Sequence, residues 1–81
     1  MEIFVLVKDT RYDCDGDIEV RLFKTMDEAK SHFNEVTKSY RQGAIEDEWV
    51  ISDDTDTSFE AYQDGYEWQN HCYFNISACK L

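Results

Sequence analysis

Hydrophobic and polar residues change rhythm several times along this chain, and each change marks an element. From Glu2 to Lys8, EIFVLVK, apolar side chains fall on both parities, as in a central strand covered on at least one side. From Ile18 to Lys24, IEVRLFK, the period is two. Ile18, Val20 and Leu22 point one way and Glu19 and Arg21 the other, which predicts a half-buried strand. The period then lengthens, and Ala29, Phe33, Val36 and Tyr40 share one face of a helix. Thr25 and Glu28 have the spacing of a capping box, and Asp27 and Glu28 suit the positive end of the helix dipole. Lys38 and Arg41 suit the negative end, and Gly43 predicts the stop. Three more strands follow: EWVIS over Glu48 to Ser52, SFEAY over Ser58 to Tyr62, and CYFNISAC over Cys72 to Cys79. Asp64-Gly65 marks a turn between the last two.

The order is therefore ββαββ(β). An antiparallel or mixed sheet with one helix packed on one face buries both apolar patterns, so the fold class is α+β. No proline, repeat or low-complexity stretch interrupts the pattern, and residues 1–81 read as one domain. The start MEIFV and the order of elements resemble the ubiquitin-like β-grasp fold, which implies an alternative topology. The diglycine tail of a modifier is missing, and the resemblance implies no function.

The stretch YDCDGDIEV, Tyr12 to Val20, begins like a calcium-binding loop, with Asp13, Asp15 and Asp17 at ligand positions one, three and five. Position six, a glycine in such loops, is Ile18, and position twelve, a glutamate, is Lys24. A β-branched residue resists the turn, and an ammonium repels the ion. A hairpin centred on Asp15-Gly16 sets Val7 against Lys24 and Arg11 against Val20, which mixes charge into an apolar face. Setting Val7 against Val20 and Val5 against Leu22 aligns apolar residues, and leaves Thr10 to Asp17 as an exposed loop.

Charge changes the picture most. The net charge is −10, and residues 42–79 contain nine acids with no lysine or arginine. Such a field repels nucleic acid and anionic membranes and attracts cationic proteins or metal ions. A chain of 81 residues buries about 60% of its unfolded surface, which leaves little room for a deep active site. The three cysteines, Cys14, Cys72 and Cys79, form no CxxC pair and indicate a reducing, cytoplasmic compartment. The N-terminus lacks the basic start and long apolar run of a signal peptide, and no stretch reaches the ~20 apolar residues of a membrane span.

Catalytic and metal chemistry find little support. On one strand His71 and Cys72 point to opposite faces, while His71 and Cys79 share a face ~26 Å apart, so neither pair closes a zinc site. His32 lies at the flank of the helical apolar stripe. Glycine-rich phosphate loops, GxSxG and HExxH are absent from the sequence. The chain reads as a non-enzymatic protein with no cofactor.

In DDTDTSFEAYQDGYEWQNHCYF, acids alternate with aromatics. Phe59, Phe74 and Trp49 are core candidates. The expected partner-binding residues are Asp53, Asp54, Asp56, Glu60, Tyr62, Asp64, Tyr66, Glu67 and Trp68, with the acids exposed mainly on one continuous face and the aromatics as anchors. The function they imply is an acidic binding module that occupies a basic surface of a partner protein. Its specific version is a nucleic-acid-mimicking inhibitor, similar in size and charge to the small acidic inhibitors carried by phages and other mobile elements. The alternative is a divalent-metal-binding protein or enzyme using the Asp13, Asp15 and Asp17 loop.

Overall fold

The computed structural model describes residues 1–13 and 15–80. Its elements are β1 (Glu2–Tyr12), β2 (Asp15–Phe23), α1 (Met26–Glu46), β3 (Val50–Asp54), β4 (Ser58–Tyr62) and β5 (His71–Lys80). The five strands form one sheet in the order β2-β1-β5-β4-β3, and every neighbouring pair is antiparallel. The fold is α+β, with the single helix packed on one side of this sheet. A β-grasp sheet sets its first and last strands side by side and parallel. Here β1 and β5 are neighbours but antiparallel, so the resemblance stops at element order.

The capping box forms: the Thr25 hydroxyl accepts from the Glu28 amide at 3.2 Å, and Thr25 has extended backbone angles. The helix does not stop at Gly43. It runs to Glu46 and ends in a Schellman motif, in which the Trp49 amide donates to Ala44 at 2.8 Å and the Glu48 amide to Ile45 at 3.3 Å. Glu48 supplies the left-handed residue, φ 59°, where glycine is usual. A glycine inside a helix costs only about 1 kcal/mol, which closing the motif three residues later outweighs. One consequence is that no basic residue lies in the last turn, contrary to the pairing expected of Lys38 and Arg41 with the helix end.

The core is Leu6 from β1, Phe59 and Ala61 from β4, Cys72, Phe74 and Ile76 from β5, and Ala29, Phe33 and Ala44 from α1. Thr37 is also fully buried, its hydroxyl donating to the Phe33 carbonyl at 2.8 Å. Val36, Tyr40 and Trp49 are half-buried at the margin.

In the β1–β2 hairpin Val7 faces Val20 and Val5 faces Leu22, the register that aligned apolar residues in the sequence. Pairing continues to Thr10 with Asp17 and Tyr12 with Asp15, so the expected eight-residue loop is strand almost throughout. Asp13, at φ 49°, turns the chain, and Cys14 lies outside the described residues. The face carrying Ile18, Val20 and Leu22 is the one α1 does not cover. These residues are 67%, 56% and 65% exposed and form an open apolar stripe with the half-buried Ile3, Val5 and Val7. The alternation holds, but β2 is not half-buried: it is exposed on both faces from Asp15 to Leu22, and only Phe23 packs against the core. No helix of the described residues is long and apolar enough to cross a membrane.

Candidate functional site: an acidic end with an aromatic cleft

Three connections meet at one end of the sheet. The hairpin tip follows Tyr12, and the Tyr12 and Trp49 rings lie 5.8 Å apart, which brings the C-terminus of α1 beside it. The β4–β5 connection, 63–70, joins from the other side: the Asp13 amide donates to the Asn70 side chain at 3.1 Å, and Arg11 donates to the Trp68 carbonyl at 3.1 Å. That connection is two successive turns, with Gly65 at φ 82° in the first, as Asp64-Gly65 implied.

The end therefore carries Asp13, Asp15 and Asp17 from the hairpin, Glu46, Asp47 and Glu48 from the helix terminus, and Asp64 and Glu67 from the connection. None of these eight carboxylates makes an ion pair among the described residues. The negative pole of α1 points the same way, adding roughly half an elementary charge. Arg11 lies at this end but gives its guanidinium to a backbone carbonyl. Beside the carboxylates, Tyr66 is 52% exposed and Trp68 61% exposed.

A cleft of about 350 Å³ opens between the last turns of α1 and the hairpin. Tyr12, Tyr40 and Trp49 wall it, Gly43 and Ala44 form its helical side, Cys72 its floor, and Ser39 and Asp47 add polar groups. Burial raises the Tyr12 hydroxyl pKa, with Tyr40, Cys72 and Asp47 adding to the effect. Burial likewise raises that of Tyr40, helped by Cys72 and Asp17. Both phenols stay neutral at physiological pH. The Cys72 thiol is pushed up to about 11, mainly by burial, with Glu60 adding to the rise and a backbone hydrogen bond at Ala61 opposing it. A thiol so far from its thiolate is a poor nucleophile.

The expected patch divides. Tyr62, Asp64, Tyr66, Glu67 and Trp68 come together at this end, with Tyr62 half-buried opposite Val50 and His71. Asp54 and Asp56 do not join them on one continuous face, whereas Asp53 and Glu60 lie on the open face that Tyr62 shares by strand alternation. A bulge between Ile51 and Asp53 sets Asp53 opposite Glu60 and Asp54 opposite Phe59, so strand alternation sends the two aspartates to opposite sides. Asp54 takes the Arg41 guanidinium through two bonds of 2.6 and 3.0 Å, above the Phe59 ring. Asp56, in the β3–β4 turn, pairs with Lys30 at 3.1 Å. On the open face Asp53 accepts from the Ser58 hydroxyl. Glu60 bonds His71 at 2.9 Å and Ser52 at 2.7 Å, and these two contacts hold its carboxyl below the usual range. Residues 42–79 lack lysine and arginine, but the helix supplies Lys30 and Arg41 from outside that segment.

From the sequence, Asp13, Asp15 and Asp17 read as a candidate metal loop rather than as part of the acidic face, and Tyr12 and Glu46 to Glu48 were missed. A signal existed. A helix that follows a hairpin returns toward the hairpin tip, and a meander after it sets the β4–β5 connection at the same end. Comparison of the chain with family models, curated proteins and solved structures returns no match. Among the described residues no three His, Cys, Asp or Glu side chains converge as metal ligands would.

Proposed function

We propose that this protein is a non-enzymatic acidic binding module whose carboxylate-rich end occupies a basic surface of a partner protein. The observation that carries this reading is the gathering of eight carboxylates from three connections, without ion pairs among the described residues, beside exposed Tyr66 and Trp68. Carboxylates steer a cationic partner at long range, and the aromatic rings supply contact area once it arrives. The reading includes a nucleic-acid-binding protein as the partner, met at the surface it offers to phosphates. The free Cys72 and Cys79 suit a reducing cytoplasm.

The test is capture from cell extract at low salt by the immobilised chain, beside a variant carrying Asp13→Asn, Asp15→Asn, Glu46→Gln, Glu48→Gln, Asp64→Asn and Glu67→Gln. The chain is expected to retain proteins with basic surfaces that elute as salt rises, and the variant to lose them. Competition by duplex DNA or RNA for the same proteins supports the mimic form. Equal capture by the variant refutes the reading and leaves the charge as a solubility device.

A further inference from the structure

The cleft at the acidic end has a shape and polarity that charge alone does not specify. Three aromatic residues, Tyr12, Tyr40 and Trp49, line it, and Asp47 lines it with them. Among the described residues no lysine or arginine lines it, and at about 350 Å³ it has room for one long side chain. Aromatic walls with a carboxylate and no cation favour a positively charged occupant, because the ring quadrupole and the carboxylate both attract it.

We propose that this cleft receives the guanidinium of an arginine side chain from the partner protein. The inference rests on the acidic-module reading and deepens it by naming the group that is recognised. Arginine fits better than lysine for three reasons. Its planar head is weakly hydrated, stacks on ring faces, and offers a fork of donors to a carboxylate. The ammonium of lysine is compact and holds its water. With centroids 5.8 Å apart and planes tilted by 39°, the Tyr12 and Trp49 rings are too close to sandwich a cation, so they form one wall against which the guanidinium lies. There it reaches Asp47, and the Ser39 hydroxyl is available as a further acceptor. Asp47 caps the helix through its backbone amide, and among the described residues its carboxylate makes no ion pair.

Gly43 provides a clean block. A Cβ built there meets no atom outside its own helical turn within 4 Å, and Gly43 lies in the wall of the cleft. Gly43→Leu should therefore fold at least as well as the parent, since leucine is the better helix former, while filling the space an arginine would take. The test is a nuclear magnetic resonance titration of the isotopically labelled chain with acetyl-Gly-Arg-Gly-amide, and with its lysine and citrulline counterparts. Thermal melts check the fold of each variant. The arginine peptide is expected to shift resonances of residues 12, 39–49 and 72 first. The citrulline peptide, isosteric but neutral, should bind at least tenfold more weakly, and both Gly43→Leu and Asp47→Asn should lose the focused shifts. Citrulline binding equal to arginine overturns the inference. So do shifts spread evenly over Asp13, Asp64 and Glu67 that survive Gly43→Leu, but that outcome leaves the acidic module standing. The module itself falls only if the charge-neutralised variant still captures the same partners.

Discussion

Replacing Glu48 by glycine should stabilise the fold and weaken binding together. Glu48 holds the left-handed position of the Schellman motif at φ 59°, a conformation that costs an L-residue roughly 1–2 kcal/mol and glycine almost nothing. Glycine returns about 0.4–1 kcal/mol of that through the greater freedom of its unfolded chain. Removing a carboxylate beside the negative end of α1 contributes about 0.3–1 kcal/mol in the same direction as strain relief, less at high salt. The net gain is about 1 kcal/mol, or about 4–8 °C in melting temperature for a domain of this size. Urea melts of Glu48→Gly, Glu48→Ala and Glu48→Gln separate the terms. Alanine and glutamine remove the charge and keep the strain, so each should gain less than glycine, and their gain should fade in salt. If alanine matches glycine, strain at Glu48 is not the cause. Retention of partner protein at low salt, measured on the same variants, should fall for all three. If binding is untouched, the Glu48 carboxylate contributes nothing to the surface assigned to it.

Phe33→Ala removes a ring that is 1% exposed at the centre of the helix–sheet core and should cost about 3–5 kcal/mol in denaturant melts, a large part of the ~4–12 kcal/mol that 81 residues provide. Val20→Thr and Leu22→Thr lie on the uncovered face and should each change stability by no more than about 0.5 kcal/mol; a loss near that of Phe33 would mean that the face is covered. Burial, aided by Lys8 and Arg21, lowers the His32 pKa below its usual 6.5, against weaker opposition from Glu35 and Glu19. The unfolded chain therefore binds the proton first, and the His32 contribution is full above about pH 6.5 and declines as pH falls through that value toward the folded pKa. The stability difference between wild type and His32→Gln should accordingly shrink from pH 7.5 to 5.5 in parallel melts, above the range where Glu60 titrates.

Much of the fold was legible because local chemistry and global packing agree. The Thr25–Glu28 box starts the helix where the period changes. The Val7–Val20 register follows from matching apolar residues across two strands. The covered side of the sheet was not legible from β2 alone, since alternation gives parity and not which parity the helix takes. The decision lies in β4 and β5, where Phe59, Ala61, Cys72, Phe74 and Ile76 share one side, while Glu60, Tyr73 and Asn75 share the other. Once the pairing sets Leu6 beside Ile76, Ile18, Val20 and Leu22 must face away from the helix. The site was half legible. Asp64 to Trp68 stand out as acids and aromatics around one turn, whereas Asp13 to Asp17 and Glu46 to Glu48 join them only through the return of the chain.

The placement of cations bears on whether the acidic end is incidental. Among the described residues Lys8 and Arg21 both meet Glu19, Lys30 meets Asp56, and Arg41 meets Asp54, so these four cations pair with carboxylates away from the acidic end. Solubility requires net charge but not its concentration, and like charges held within a Debye length of one another destabilise the compact state. Concentrating eight carboxylates at the negative pole of the helix is therefore a cost to folding that an even distribution avoids. Added sodium chloride should relieve it. The wild-type melting temperature is expected to rise between 20 and roughly 300 mM salt, a range over which the screening length falls from about 20 Å to about 6 Å. The six-fold charge variant should start higher and rise less. An identical salt response in both would place the repulsion elsewhere in the chain, and would remove the energetic reason for treating this end as a binding surface.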